Sequence, residues 1–253
     1  MNFPTSYSKI ITRMKSVNPE RYAKTRNHLE GDVSFLSPYI TRGVLSLAHI
    51  RESVLELYST KESEKFIQEL AWREYFQKVY KEKGNEIFKD LRFDQPGVQK
   101  KNQMPTAIRD ASTDIKIIDD AIQKLYSTGY MHNHARMWIA SLVTNISRCD
   151  WYTSSRWMYY HLLDGDLASN SLSWQWICGA FSSKQYVAHQ ELMNACAHQS
   201  LSQINTYMDI PRDELLERAM IPTILDVTTT LDLPVFLPKS DVINLDDRDI
   251  VLF

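Results

Sequence analysis

The sequence predicts an all-α fold that continues into a C-terminal extension, and three observations favour this assignment. Residues 106–210 contain no proline, so this stretch is free to form helices. Glycine is scarce, with 7 among 253 residues, and none stands in a G-x-G-x-x-G or G-K-[ST] phosphate-binding loop. Before residue 222, no run alternates between apolar and polar residues as a strand would. A Rossmann or P-loop nucleotide site is therefore not expected.

Capping residues and charge placement mark where the helices begin and end. One helix is expected to start at Ser46, and a long one is expected from Thr60 to just before Gly84. Acidic residues follow Thr60 and lysines precede Gly84, which suits the helix dipole at both ends. The further helices expected on the same grounds cover residues 114–128, closed by Gly129, residues 132–149, residues 153–163, and a segment after Asp166.

The C-terminal segment differs in pattern from the rest of the chain. After residue 222, the runs TILDVTTTLDLPVFLP and DRDIVLF are β-branched and broken by proline, which predicts an extended tail with a short strand pairing. We therefore divide the chain into a helical domain over residues 1–210 and an extension over residues 211–253 that packs on the same domain. The sequence leaves the role of this extension and the oligomeric state open.

Composition and charge limit the class of protein. Hydrophobic residues make up 43% and charged residues 24%, which is typical of a globular protein and excludes a disordered or low-complexity chain. The net charge is −2, but it is unevenly distributed. Residues 209–253 carry 10 acidic against 4 basic residues, and residues 1–208 carry 25 basic against 21 acidic residues. The helical part is therefore weakly positive, which permits a polyanionic partner.

The three cysteines, Cys149, Cys178 and Cys196, are too widely spaced for a zinc knuckle or a disulfide framework. No metal site is predicted, and reduced cysteines favour a cytoplasmic protein. The N-terminal residues lack the apolar run of a signal peptide, and no stretch of about 18 consecutive apolar residues occurs. We therefore expect neither export nor a membrane span.

The segment HNHARMWIA places Asn133, Arg136 and Met137 on one helical face, at positions i, i+3 and i+4. An amide, a guanidinium and a thioether therefore form one stripe. Taken alone, such a stripe is typical of a solvated face with one packed methionine.

The segment LLDGDLASNSLSWQW carries two carboxylates, an amide and two indoles. Asp164 and Asp166 flank a glycine, which by itself indicates a turn and a helix N-cap. Asn170 and Trp174 share one face of the helix that follows, whereas Trp176 points about 200° away from Trp174. Two indoles on opposite faces need two cavities or two partners.

Two segments nearer the N-terminus are ambiguous on their own. Glu69, Trp72 and Arg73 in ELAWR share one face of the long helix, as in an ordinary amphipathic helix. Ser34 and Ser37 in GDVSFLSPYITRGVLS precede a helix start, where hydroxyls and backbone N–H groups can hold phosphate. Simple capping is the more common use of such serines.

Together and in this order, these blocks resemble the flavin-binding helical domain of the DNA photolyase and cryptochrome family. The matching blocks are LSPYITRGVLS, ELAWREYF, STGYMHNHARMWIAS and LLDGDLASNSLSWQW, and the resemblance covers roughly residues 20–180. The α/β antenna domain that usually precedes this domain in the family has no counterpart in the sequence, so no antenna pigment is expected. The chain resembles a short, stand-alone form of the family.

The resemblance implies that the domain holds FAD, active in its reduced form, in a folded-back shape. An amide beside the flavin ring, implied here for Asn170, can donate or accept as the ring changes its redox state. The resemblance assigns the phosphate side of FAD to Tyr22, Ser34, Leu36 and Ser37, and its other contacts to Arg73, Arg136, Asp164, Asp166 and Asn170.

The resemblance also implies a substrate. Relatives that split cyclobutane pyrimidine dimers have a cavity above the flavin, and its flat indole walls can stack on a flipped-out dimer. We therefore expect light-driven repair of UV-damaged DNA, with a preference for single-stranded or distorted DNA because flipping costs less there. The candidate catalytic residues are Glu69, Trp72, Asn133, Met137 and Trp176 of this cavity, together with Asn170.

Two other interpretations stay open. The first is a cryptochrome-like blue-light photoreceptor without repair activity, and the second is a non-catalytic, FAD-stabilised binding protein. The complete set of dimer-lining residues favours repair, because a sensor has no need of it.

The sequence departs from the family pattern at single positions. Val33 stands where the family commonly has threonine, and Phe66 stands where it has a flavin-contacting tryptophan. His134 stands where the family often has an arginine that faces the DNA backbone. This replacement predicts weaker and pH-sensitive binding of DNA phosphates.

The tryptophan electron-transfer chain of the family also departs from the pattern. Trp174 and Trp151 match its inner and middle members, but no tryptophan stands between residues 72 and 138, where the outer member belongs. Our hypothesis is that Trp157 or a nearby tyrosine, Tyr152 or Tyr159, takes its place.

Overall fold

Helices form nearly all the regular structure in the part of the chain that the computed structural model describes, residues 3–197, 204–218 and 220–233. The all-α assignment is therefore confirmed. In chain order these helices are α1 (Tyr7–Lys15), α2 (Pro19–Thr25), α3 (Ser37–Thr41), α4 (Leu47–Leu55), α5 (Thr60–Lys83), α6 (Thr106–Arg109), α7 (Lys116–Thr128), α8 (Asn133–Ser141), α9 (Trp151–His161), α10 (Leu167–Cys178), α11 (Gln190–Cys196), α12 (Arg212–Glu217) and α13 (Thr223–Asp226). A 3-10 turn (Gly84–Phe88) follows α5, a π-helical turn (Leu142–Ile146) follows α8, and strands β1 (Met104–Pro105) and β2 (Thr228–Thr229) pair in antiparallel fashion.

The long helix α5 begins and ends where its capping residues predict. The Ser59 hydroxyl accepts a hydrogen bond from the backbone N–H of Glu62, and the Glu62 carboxylate accepts one from the backbone N–H of Ser59 at 2.7 Å. This capping box satisfies N–H groups that the first turn leaves unpaired. At the other end, Gly84 adopts a positive φ of 54°, which glycine tolerates without steric cost. The result is a rod of 24 residues that carries part of the candidate site.

The helix expected over residues 132–149 is shorter than predicted. It ends at Ser141 and passes into the π-helical turn, and Arg148 then adopts a positive φ of 56°. Within the turn, the Asn145 amide donates to the backbone oxygen of Tyr186 at 2.7 Å. This contact spans 41 residues, so local sequence pattern could not predict it.

Two other helix starts differ from the prediction by two residues. Asp114 has a positive φ of 60°, which excludes it from a helix, and α7 begins at Lys116. Asp150 caps α9 by accepting a hydrogen bond from the backbone N–H of Thr153 at 3.1 Å, so α9 begins at Trp151. The helix expected after Asp166 is confirmed as α10, with Asp166 as its N-cap.

The segment after residue 210 is less extended than predicted. Residues 223–226 are helical, and Leu215 and Leu225 are buried in the main core. Burial of these leucines explains why the chain folds into short helices where proline and β-branched residues suggest an extended tail. The short strand pairing is confirmed, because β2 pairs with β1. The runs PVFLP and DRDIVLF lie outside the described residues.

Two hydrophobic clusters form the interior of the part of the chain that the structure describes. The larger one packs α7 to α10 around residues such as Trp138 and Trp157, and the smaller one packs α1, α4 and the start of α5 around Ile50. A polar contact joins α3, which borders the smaller cluster, to the turn before α10: the Thr41 hydroxyl donates to the backbone oxygen of Asp164 at 3.1 Å. The candidate site lies around this junction. No helix in the described ranges has the length and apolarity needed to cross a membrane.

Candidate functional site

A buried ion pair joins α8 to the turn that precedes α10. The Arg136 guanidinium lies 2.9 Å from both carboxylate oxygens of Asp164, and its Nε donates to the backbone oxygen of Met131 at 2.9 Å. The Asp164 side chain is only 4% exposed and that of Arg136 is 24% exposed. Charge-assisted hydrogen bonds in such a setting are strong, and each partner is costly to bury without the other. The pair therefore fixes a cation and an anion at one point of the site.

A second ion pair holds the first turn of α10 against α5. The Asp166 carboxylate accepts hydrogen bonds from the backbone N–H of Ser169 at 2.7 Å and from Arg73 at 3.2 Å. Arg73 also donates to the Thr41 hydroxyl at 2.7 Å, and Gln77 donates to Asp166. Asp166 therefore acts both as a helix cap and as the acceptor that positions Arg73.

Asn170 lies one turn after Asp166 on α10. Its side-chain amide donates to the backbone oxygen of Ser155 on α9 at 2.9 Å, and the residue is half-buried. This bond fixes the orientation of the amide. The side chain is thus held near the junction and remains partly accessible to a ligand.

The predicted phosphate side contains a cavity of about 230 Å³ that is lined by Tyr22 and Ser34, together with Arg13. Leu36 is 1% exposed and packs in the smaller hydrophobic cluster, and Ser37 is the first residue of α3. Tyr22 and Ser34 therefore face a space that a ligand can enter, whereas Leu36 does not line this cavity. Burial raises the pKa of Tyr22 above its usual value, so its hydroxyl stays protonated and can donate.

Three of the residues predicted to line a dimer cavity make contacts of their own. The Asn133 amide lies 3.5 Å from the Met137 sulfur, so these two residues share one face of α8 as the spacing predicted. The Glu69 carboxylate lies 3.4 Å from Arg26 and 3.1 Å from Lys65, and its side chain is 31% exposed. Glu69 is therefore held as an ion-paired acceptor.

The two tryptophans of the same set are exposed in spite of their size. Trp72 is 49% exposed and Trp176 is 42% exposed, and they lie on α5 and α10, which pack against each other. Trp72 contacts Tyr75 with ring centroids 5.7 Å apart, and Trp176 contacts Tyr186 at 5.9 Å. Exposed indoles backed by other aromatic rings are typical of surfaces that bind a flat ligand.

His132 and His134 stand side by side at the start of α8, with ring centroids 5.8 Å apart. Burial, with added repulsion from His134 and Arg136, lowers the pKa of His132 to about 4. Burial also lowers the pKa of His134, which packs against Trp138 at 6.3 Å and whose Nδ1 is enclosed. His134 is therefore half-buried, and its expected contact with the DNA backbone stays a prediction.

We expect His132 to make the protein less stable in mild acid. In the folded chain His132 stays neutral down to about pH 4, whereas in the unfolded chain it takes up a proton near its usual pKa of 6.5. Protons therefore favour the unfolded state below pH 6.5, and this group alone should remove about 2 kcal/mol of unfolding free energy between about pH 7 and pH 5. Urea unfolding across this range, with His132→Asn, should show a flatter pH dependence in the variant, since asparagine can still cap α8.

The matched control for this prediction replaces the exposed His49 with asparagine. Its pH dependence should equal that of the unmodified protein. If the free energy of unfolding of His132→Asn falls as steeply as that of the control when the pH is lowered, the pH dependence does not come from His132.

The candidate electron-transfer tryptophans Trp174, Trp151 and Trp157 are each at most 2% exposed. The Trp151 indole donates to the Asp90 carboxylate at 2.7 Å, and its ring lies 5.7 Å from that of Tyr152. Trp157 instead donates to the Tyr126 hydroxyl at 3.0 Å. Of the three candidate outer members, Tyr152 is the one in ring contact with Trp151 among the described residues.

Several residues that shape the site were missed by sequence reasoning. Arg26 stands four residues after Tyr22, so helical spacing could have indicated that both face the same region. Asp90 is 61 residues from the tryptophan it binds, and no sequence signal links them. Arg212 lines a cavity beside Trp176 although it stands beyond the matching blocks.

Curated proteins similar to this chain include photolyases and a cryptochrome. A "Deoxyribodipyrimidine photo-lyase" from Streptomyces griseus is 30% identical over 172 residues, covering 68% of this chain and 38% of the relative. A "Cryptochrome DASH" from Danio rerio is 31% identical over 172 residues, covering 62% of this chain and 32% of the relative. The chain thus spans about a third of the length of these curated relatives.

A solved structure shares the fold. The cryptochrome from Synechocystis sp. PCC6803 superposes with a TM-score of 0.69 at 22% identity, covering 85% of this chain and 48% of that one. Residues 66–203 match the sequence profile of the FAD binding domain of DNA photolyase, which is more than half of the chain. With the two ion pairs, the anchored amide and the exposed indoles, this match shows that the chain belongs to the photolyase and cryptochrome family and that its cofactor is FAD.

Proposed function

We propose that this chain splits cyclobutane pyrimidine dimers in DNA, using light and reduced FAD. The observation that carries the proposal is the pair of exposed tryptophans, Trp72 and Trp176, on packed helices of an FAD-binding domain. A fused pyrimidine pair offers flat faces to two indoles and imide edges to Asn133 and Glu69. The naming of several relatives as deoxyribodipyrimidine photo-lyases supports the same substrate.

The residues at the junction suit FAD. Hydroxyls and the Arg13 guanidinium at the 230 Å³ cavity are groups that bind a diphosphate. The Arg136–Asp164 pair and the anchored Asn170 amide offer a charged pair and a hydrogen-bonding group of the kind that a flavin ring needs. When bound, FAD supplies the light-absorbing electron donor. These residues hold and orient it.

The residues predicted to line the dimer cavity then have to bind the lesion, exclude water from it and leave it unprotonated. The dimer first gains one electron, and its two carbon–carbon bonds then break. The electron leaves the products at the end, so the net reaction needs no proton and no added reductant. Trp72 and Trp176 can shield the lesion from water, and Glu69 is held by Arg26 as an acceptor for an imide N–H. No general acid or base is required.

The test is the fate of a thymine dimer in a defined oligonucleotide mixed with the FAD-loaded, chemically reduced chain. We expect the dimer to disappear in light and to persist in darkness, and to disappear faster in a single strand than in a duplex at the same salt concentration. Equal rates for the two substrates would contradict the strand preference. Persistence in light would overturn repair and favour the alternative, a cryptochrome-like photoreceptor, which the Danio rerio relative supports.

We assign the outer electron-transfer position to Tyr152. It is half-buried, and its ring contacts that of Trp151, so it can re-reduce an oxidised Trp151 and release its phenolic proton to water. Tyr152→Phe should therefore shorten the lifetime of the light-induced charge separation, because phenylalanine cannot be oxidised in its place. Transient absorption measures this lifetime in the FAD-loaded chain.

Trp157→Phe is the control for this assignment, since Trp157 is buried against Tyr126. Its charge-separation lifetime should match that of the unmodified chain. The reverse pattern, a short lifetime in Trp157→Phe and a normal one in Tyr152→Phe, would assign the role to Trp157.

We also assign the protein to the cytoplasm. Cys149, Cys178 and Cys196 are all free and buried, as is usual for a protein from a reducing compartment.

A further inference from the structure

A second cavity, of about 480 Å³, opens beside Trp176 on the side of the loop that follows α10. Its aromatic wall is formed by Trp176 and Tyr186, whose rings are tilted by 31° with centroids 5.9 Å apart. A volume in this range holds a small organic ligand. Two rings inclined at a low angle form a surface on which a planar group can stack.

The rest of the lining is mixed: it includes Gln185, Val187 and Leu192 beside cationic and hydroxylic side chains. Its cations are Lys184 and Arg212 and its hydroxyls are Ser182 and Ser183, and no carboxylate is among the described lining residues. Such a combination of an aromatic wall and nearby cations matches the base and the phosphate of one nucleotide. An apolar ligand would form no ion pair with the cations of this cavity, and a free anion would not stack on its aromatic rings.

Arg212 reaches this cavity from a part of the chain outside the FAD-binding profile, which ends at residue 203. It is the first residue of α12, and Leu215 on the same short helix is buried in the main core. The Arg212 guanidinium donates to the backbone oxygen of Gln185 at 3.4 Å, on the loop that forms the cavity edge. It also lies 3.4 Å from the exposed carboxylate of Asp213. The helix is therefore anchored so that its first residue stands at the rim.

We propose that this cavity binds one undamaged nucleotide of single-stranded DNA beside the lesion, with its base on Tyr186 and its phosphate on Arg212. The proposal rests on the proposed function, because Trp176, which lines this cavity, is also one of the residues predicted to line the dimer site. It also gives a physical reason for a single-strand preference. A base paired in a duplex cannot enter a cavity of this kind without first being unstacked.

The test measures binding of a fluorescent, undamaged oligothymidylate of about ten nucleotides by anisotropy, over a range of salt concentrations. Arg212→Ala should weaken binding and lower the slope of log Kd against log salt by about 0.7, the value for one phosphate contact on a single strand. Arg51→Ala is the matched control. Arg51 is 52% exposed and pairs with the adjacent Glu52, just as Arg212 is 51% exposed and pairs with Asp213. An Arg212→Ala slope equal to that of the control would overturn the proposal.

A second variant tests the stacking contact. Tyr186→Leu should weaken binding of the oligothymidylate by about tenfold but should leave binding of an abasic oligonucleotide of equal length unchanged. Tyr186→Phe, which keeps the ring, should bind like the unmodified chain. Equal losses for both oligonucleotides, or displacement of the oligothymidylate by an oligoglutamate peptide as readily as by unlabelled DNA, would overturn nucleotide recognition.

These outcomes separate the inference from the proposed function, because the probe carries no dimer. A chain that fails to repair dimers yet loses oligothymidylate binding in Arg212→Ala contradicts repair alone. A chain that repairs dimers but binds the oligothymidylate equally well with and without Arg212 contradicts only the nucleotide site.

Discussion

Replacing Asp164 with asparagine is expected to lower the free energy of unfolding by about 3 kcal/mol and to prevent FAD from being retained. The change keeps the volume of the side chain but removes the charge that faces Arg136, leaving a largely buried guanidinium without its counter-ion. Breaking one half of a buried pair costs about this much in general. Guanidinium chloride unfolding and the flavin content of the purified protein measure the two effects.

An exposed pair provides the control for this experiment. Arg109 and Asp110 lie 2.6 Å apart with side chains 45% and 47% exposed, and the guanidinium beside Asp110 lowers the pKa of that carboxyl. Exposed pairs contribute little because water and salt screen them, so Asp110→Asn should cost less than about 1 kcal/mol and leave FAD binding intact. Equal losses of unfolding free energy and of bound FAD in the two variants would show that burial of the Arg136–Asp164 pair determines neither stability nor FAD binding.

Replacing Gly31 with alanine is expected to destabilise the protein by about 3 kcal/mol and to distort the phosphate side of the site. A Cβ atom at Gly31 would lie 1.9 Å from the backbone oxygen of Thr25 and 2.7 Å from its carbonyl carbon. Backbone atoms cannot move aside as the end of a flexible side chain can, so the turn between Tyr22 and Ser34 would have to open. Chemical unfolding measures the cost, and FAD affinity reports the change at the cavity.

The control for Gly31 separates a steric clash from backbone preference. Gly43 has a positive φ of 72°, and a Cβ there would meet no atom of the described residues within 4 Å. Gly43→Ala should therefore lower the free energy of unfolding only by the cost of a positive φ in alanine, about 1 kcal/mol. It should leave FAD affinity unchanged. A Gly43→Ala cost that equals or exceeds that of Gly31→Ala would contradict the steric argument.

Local sequence predicted the elements whose ends are set by neighbouring residues. Helix α5 was predicted because its acidic first turn, its lysines and Gly84 all lie within the segment itself. Helix α8 was predicted too long because its end depends on Asn145 binding a backbone oxygen 41 residues away. The short helices after residue 210 were missed because their formation depends on burying Leu215 and Leu225 in a core made by other segments.

The same distinction applies to the site. Spacing on one helix predicted that Asn133 and Met137 share a face, and they are in contact. Spacing could not predict that Arg136 meets Asp164, which follows 28 residues later. The resemblance to a family supplied that grouping. Arg212 was missed because no shared motif includes it, whereas for Arg26 the one local signal is its helical spacing from Tyr22.

Contact between bound FAD and a bound lesion is most directly measured by the fluorescence lifetime of reduced FAD in the loaded chain. We expect this lifetime to shorten when a saturating oligonucleotide with one thymine dimer is added, because the excited cofactor can then pass an electron to the lesion. An undamaged oligonucleotide of the same sequence should leave it unchanged. A lifetime that is the same with both oligonucleotides would contradict a shared site for flavin and dimer.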